Sequence, residues 1–150
     1  MLALSVRVTF AQVPIVNANP DLLSAVSNAT VLVVEDDPAL RALYWSALTA
    51  AGYAVAAFED GFDALRHVEL SGVPDAVVLD LDLPRVSGRD VHHELAAQYP
   101  TTKSRVIVVT GSEDIADLDP KHFACILRKP ILVEALVHAI ENCLKATDVR

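Results

Sequence analysis

The stretch VVLDLDLPR, residues 77–85, sets Val77, Val78 and Leu79 in a row, then places Asp80 and Asp82 on either side of Leu81, ahead of Pro84. An unbroken apolar run suits a strand covered on both faces, because neither side may then be polar. The aspartates that end it have two readings. They belong to an acidic surface turn, or the strand delivers them to the rim of a sheet for a purpose. The flanking segments decide.

Upstream, TVLVV (30–34) is a similar run that ends on Glu35, Asp36, Asp37 and Pro38. Asp37 suits a helix N-cap, and Pro38 suits the first turn. Leu40, Leu43, Tyr44, Ala47, Leu48 and Ala51 then recur at helical spacing until Gly52. YAVAAF (53–58) reads as a second strand. Asp60 caps a helix with Ala64, Leu65 and Val68 inward, stopped by Gly72 and Pro74, and AVVLD (76–80) is the third strand.

Downstream, SGRDVHHELAAQY (87–99) is a helix entered at Ser87 and closed before Pro100. RVIVVT (105–110) is a fourth strand and ACIL (124–127) a weaker fifth. A last helix begins after Pro130, turns Val133, Leu136, Val137, Ile140 and Leu144 inward, and runs to about Lys145. Strands spaced by helices imply a parallel sheet with right-handed crossovers. The expectation is a five-stranded doubly wound α/β domain over residues 30–147, with helices on both faces. Residues 1–29 are read as an N-terminal extension and linker, with strand-like alternation at Leu2, Leu4, Val6, Val8 and Phe10, and residues 148–150 as a tail.

Composition supports one domain. The chain has 150 residues, 53% hydrophobic but only 5% aromatic, which fits an Ala/Val/Leu-rich α/β core. A formal net charge of −8 speaks against a nucleic-acid footprint, which needs a clustered basic face. No apolar run approaches the ~18 residues of a membrane span. Cys125 and Cys143 have neither metal-ligand spacing nor a disulfide framework, and Cys143 falls on the apolar stripe of the last helix. His67, His92, His93, His122 and His138 read as surface residues.

In a doubly wound sheet, ligands bind beyond the carboxyl ends of the strands. There the first strand offers Glu35 and Asp36, the third Asp80, the fourth Thr110 followed by Gly111, and the fifth Lys129 before Pro130. Three carboxylates crowded together repel unless a cation joins them. An all-oxygen set suits Mg²⁺, which keeps several waters and accepts a phosphate oxygen. Lys129 and Thr110 then complement a phosphoryl group by charge and by hydrogen bonding. Asp80, central on the rim, is the candidate nucleophile for an acyl phosphate.

With these residues in place, VLVVEDDP, VVLDLDLPRVSG, VIVVTG and RKP, in this order, resemble the receiver domain of bacterial two-component response regulators. The resemblance covers about 120 residues. It implies a flavodoxin-like sheet of strand order 2-1-3-4-5. It implies Asp80 as phosphoacceptor and Glu35 and Asp36 as the acidic pair that organises Mg²⁺. It also implies a metal-directed backbone carbonyl at Asp82, Thr110 as the switch hydroxyl, Lys129 as the phosphoryl-contacting lysine, and a cis peptide at Pro130. Partners implied are a histidine kinase or phosphotransfer protein and an unknown downstream protein, with no direct nucleic acid and no membrane, in the cytoplasm. The chain is expected to be a signalling switch rather than an enzyme, either a stand-alone receiver or one cut from a longer protein, with at most slow self-dephosphorylation.

Departures from the family pattern accompany the match. Glu35 stands where Asp is more usual. Ile126 occupies the position of the switch aromatic. The segment between Thr110 and Lys129 is short and broken by Pro120, so the helix expected there is short or distorted, anchored by Ile115 and Leu118. Two readings stand for the Asp82 carboxylate: it orients a water near the phosphoryl group, or it simply faces solvent. Trp45, after Tyr44 on the first helix, either packs or forms a partner patch. Alternatives of other classes are a pseudo-receiver that binds partners without phosphoryl chemistry, and a haloacid-dehalogenase-like phosphatase. The second is disfavoured because the acidic pair precedes the nucleophile instead of following the lysine.

Overall fold

The computed structural model describes residues 29–100 and 105–147. The expectations for residues 1–28 and for the tail lie outside them. Five strands, β1 (Thr30–Val34), β2 (Ala54–Phe58), β3 (Ala76–Leu79), β4 (Val106–Thr110) and β5 (Cys125–Arg128), form one sheet of order β2-β1-β3-β4-β5. Every pairing is parallel. The described residues also form four α-helices: α1 (Pro38–Ala50), α2 (Gly61–Ser71), α3 (Gly88–Gln98) and α4 (Val133–Thr147).

The three inner strands are buried almost without interruption because each sheet face has its own core. The two-residue strand period sends Leu32, Val34, Val77, Leu79, Val106 and Val108 to one face, with Ala64 and Val68 of α2 and Val91 and Leu95 of α3. It sends Val31, Val33, Val78, Ile107 and Val109 to the other, with Tyr44 and Leu48 of α1 and Leu136 and Ile140 of α4. The first three helices start where their caps place them. Asp37 accepts from the amides of Ala39 and Leu40, Asp60 from Asp63, and Ser87 from Asp90.

Several boundaries and exposures differ from the sequence reading. β5 runs one residue later than ACIL, and β3 ends at Leu79, which leaves Asp80 just past the ladder. Leu43 is 47% exposed although it fits helical spacing. The buried direction of α1 is set by Tyr44 and Leu48, and Leu43 points about 100° away from its neighbour Tyr44. Trp45 is exposed. His92 is half-buried, with its ring 4.4 Å from that of Phe123 and 6.5 Å from that of His122.

The helix expected between β4 and β5 is reduced further than anticipated. Residues 111–119 are irregular, with a bend at Glu113 and a turn at residues 116–117, and the only helical element of this segment is a single 3₁₀ turn at Pro120–His122. Asp119 caps that turn through the Lys121 amide, and Pro120 occupies its first position. Ile115 and Leu118 still reach the core. Arg89 on α3 ties the segment down by donating to the Asp114 carbonyl and, at 2.9 Å, to the Asp117 carboxylate.

Candidate functional site

Each strand of a parallel sheet ends on the same side, so the residues one step beyond β1, β3, β4 and β5 must share a rim. The ladder continues one bond past the strands: Glu35 N donates to Phe58 O at 3.1 Å, Asp80 N to Val34 O at 3.0 Å, and Lys129 N to Thr110 O at 2.9 Å. These bonds fix where the three candidate side chains leave the backbone. Glu35 is 1% exposed, Asp80 4% and Thr110 0%, whereas Asp36 and Asp82 are open to solvent.

Lys129 is the hub. Its Nζ lies 2.7 Å from Asp80 Oδ2 and 2.7 Å from Glu35 Oε2. The first contact is an aligned hydrogen bond; the second is an ion pair that leaves Glu35 Oε2, a buried oxygen, without an aligned donor. Burial lowers the affinity of Lys129 for its proton, but the hydrogen bond to Asp80, the close contact with Glu35 and the charges of both carboxylates outweigh it and hold the ammonium above its ordinary value. Glu35 is pushed up by burial, against the pull of Lys129 and the Asp37 amide. The remaining Glu35 oxygen, Oε1, accepts from that amide at 3.1 Å.

One oxygen from each of Glu35, Asp36 and Asp80 lies within 4.8 Å of the others. Three carboxylates against a single ammonium leave the hollow short of positive charge, and the Glu35 oxygen lacks an aligned partner. An oxygen-rich pocket of this sort can hold a hard divalent cation. Thr110 Oγ1 donates to Asp82 Oδ2 at 3.3 Å and accepts from the Ser112 amide at 3.1 Å. Asp82 N donates to Asp80 Oδ1 at 3.0 Å. The Lys129–Pro130 peptide bond is cis.

Two groups at the site escaped the sequence reading. Arg41 donates to the carbonyls of Glu35 (2.9 Å) and Asp36 (3.2 Å), fixing the backbone that presents the acidic pair. Its position one helical turn into α1, facing back toward the cap, was the available signal. The other is the ion pair between Asp60 and Arg85, which joins residues too far apart in sequence for any local pattern to connect. Ile126 lies opposite Val108 in the register and packs, half-buried, on the core face that also holds Val106 and Val108. The strand period puts Thr110 on that face too.

The order 2-1-3-4-5 and the acidic carboxyl rim define a class: a flavodoxin-like α/β domain with a cation-ready hollow at the switch point between β1 and β3. The chain belongs to the response regulator receiver domain family, whose model matches residues 31–141. Among curated proteins it is similar to the transcriptional regulatory protein TcrA of Mycobacterium tuberculosis. That match is 40% identical over 96 residues, 63% of this chain and 38% of that protein. It is also similar to the response regulator MprA of a Mycobacterium species, 34% identical over 120 residues, 79% of this chain and 51% of that protein. The chain thus spans about half the length, or less, of the curated relatives it matches. Among solved structures, the response regulator TrrA of Thermotoga maritima, in complex with Mg²⁺ and beryllofluoride, aligns with a TM-score of 0.68. That pair is 28% identical and covers 77% of this chain and 99% of the other. No helix among the described residues is long and apolar enough to cross a membrane.

Proposed function

We propose that this chain is a phosphorylation-controlled signalling switch whose phosphoacceptor is Asp80. The observation that carries the reading is Lys129 Nζ held 2.7 Å from both Asp80 and Glu35, beside three carboxylates within 4.8 Å of one another. Glu35, Asp36, Asp80 and the backbone carbonyl of Asp82 would hold Mg²⁺, which supplies charge neutralisation for a phosphoryl group in transfer. An Asp80 carboxylate oxygen attacks phosphorus, giving up its present hydrogen bond, and an acyl phosphate bond forms as the bond to the donor breaks, its electron pair leaving with the donor. A histidine kinase or phosphotransfer protein fits as the donor, the leaving group then being an imidazole nitrogen. Lys129 trades its carboxylate contact for a phosphoryl oxygen, and the Thr110 hydroxyl turns from Asp82 to another.

The unit that does this is residues 30–147, with residues 1–29 and 148–150 outside it. It acts in the cytoplasm as a phosphoacceptor rather than a turnover enzyme, and signals through protein contacts; a net charge of −8 disfavours nucleic acid as its direct partner.

A second reading, an interaction module without phosphoryl chemistry, is favoured by two observations: Ile126 in place of a switch aromatic, and irregular chain in place of a helix at residues 111–119. Acetyl phosphate or beryllofluoride with Mg²⁺ separates the two. The switch reading expects label on the wild type, none on Asp80→Asn, and a shift in the amide NMR spectrum around Thr110. Label persisting in Asp80→Asn refutes the acceptor assignment, and a wild type that responds to neither reagent leaves the interaction module standing.

A further inference from the structure

The loop between β3 and α3 has a shape that its residues do not favour. Among the described residues Arg85 is the only non-glycine with positive φ, at 63°. The Val86 amide donates to the Pro84 carbonyl at 2.8 Å, which makes Arg85 the centre of a three-residue γ-turn of the rare, strained hand. Glycine takes this conformation freely, while residues with a Cβ avoid it. Strain of this kind persists only where surrounding contacts over-determine it, and it gathers at functional loops. The site is three residues beyond Asp82.

Leu81, Leu83 and Val86 seat the loop on the core, and the polar contact to Arg85 itself comes from the start of α2. The Arg85 guanidinium pairs with Oδ2 of Asp60, a carboxylate only 2% exposed, although the Arg85 side chain itself is 64% exposed. The other Asp60 oxygen accepts from the Asp63 amide at 3.1 Å, capping α2. The next residue, Gly61, leaves room for α3 and for the loop: a Cβ there would run into Val91 Cγ2 and would lie 3.1 Å from the Val86 carbonyl oxygen and 3.2 Å from its Cβ. Asp60 therefore grips Arg85 while Gly61 seats Val86. The Asp63 amide and, against some burial, Arg85 hold the Asp60 carboxyl below its usual range, so it is charged at neutral pH.

At its other end the same loop is tied to the acceptor. The Gly88 amide donates to Leu81 O at 3.0 Å, and Asp82 N to Asp80 Oδ1 at 3.0 Å. Moving residues 81–87 moves the Asp82 carbonyl and the Asp80 carboxylate.

We propose that Arg85 and Asp60 form a strap that holds the 81–87 loop in the shape needed for divalent-cation binding, which makes Arg85 a positioning residue for metal affinity. The inference rests on Mg²⁺ being held at Glu35, Asp36 and Asp80 as proposed above. Partners one shell out from metal ligands commonly tune affinity in this way.

The test titrates Mg²⁺ alone into the full chain, followed by calorimetry and by the amide NMR signals of Asp82 and Gly88. Arg85→Gly keeps the backbone conformation accessible and deletes the charge. It is expected to weaken Mg²⁺ on the order of tenfold and to speed amide exchange at Val86 and Gly88 in metal-free protein. Arg85→Lys restores most of the affinity. Asp60→Asn, which retains an oxygen for the Asp63 amide, weakens Mg²⁺ as much as Arg85→Gly does, and the double variant is no weaker than either single one. Wild-type affinity in Arg85→Gly, or additive losses in the double variant, overturns the strap while leaving the metal site intact. A wild type that binds no Mg²⁺ overturns the metal site, and the strap's role with it.

Discussion

Lys129→Met keeps the bulk of the hub side chain and removes its charge. In the wild type, Nζ is 2.7 Å from an oxygen of each of two carboxylates that are themselves buried. At an effective dielectric of about 20, each contact carries about 6 kcal/mol of Coulomb attraction. Most of that offsets the cost of withdrawing three ions from water. Deleting one member of such a cluster strands the others, at about 3–5 kcal/mol. The Lys129 side chain is 19% exposed, so the lower end applies: about 3 kcal/mol, or about 10 °C in Tm for a domain of this size.

The loss should depend on pH. Burial already raises the Glu35 pKa, with Lys129 opposing, and without the ammonium it rises further. A carboxyl whose folded pKa is raised contributes stability below its unfolded pKa and loses that contribution as pH rises through the folded value. The variant is therefore closest to wild type near about pH 4–5 and falls furthest behind above neutrality. Urea unfolding at pH 5 and pH 7.5 measures both quantities. Mg²⁺ at about a hundred times its Kd for the variant should add about 2.7 kcal/mol by mass action. A variant as stable as wild type, or a deficit that does not change with pH, refutes the reasoning about Lys129.

Two further outcomes follow from the same geometry. Gly88→Ala would place a Cβ 2.0 Å from the Asp80 carbonyl oxygen and 2.6 Å from Leu81 Cα; both are backbone, so the loop must move, at about 1–3 kcal/mol by urea unfolding, with weaker Mg²⁺ binding in the same protein. Asp60 has a lowered pKa, so its charge contributes stability above the ordinary carboxylate value and loses it as pH falls through the folded one. The stability gap between wild type and Asp60→Asn should accordingly be full at neutral pH and close in acid, as an acid titration followed by circular dichroism would show.

The alternation of strands and helices was legible because each element carries its own local signal. Apolar runs marked the inner strands, and Asp37, Asp60 and Ser87 marked helix starts through side chains that accept from amides two or three residues on. The rim was legible for a topological reason: once the strands are parallel, residues that follow them share one end of the sheet, so Glu35, Asp36, Asp80, Thr110 and Lys129 needed no coordinates to be grouped. The missing helix after β4 was half legible. Pro120 signalled the interruption, but whether nine residues after Thr110 coil into a helix depends on the Arg89 contacts to Asp114 and Asp117, which local propensity does not contain.

The amino-acid sequence by itself determined which segments are strands, where the helices begin, and which side chains reach the carboxyl rim, since period, caps and chain direction are local properties. Only the tertiary structure decided that one lysine bridges Glu35 and Asp80, that Leu43 faces water, and that Asp60 holds Arg85 in a strained turn. Those outcomes depend on distances between residues remote in the chain, and such distances exist only after two cores have packed against one sheet.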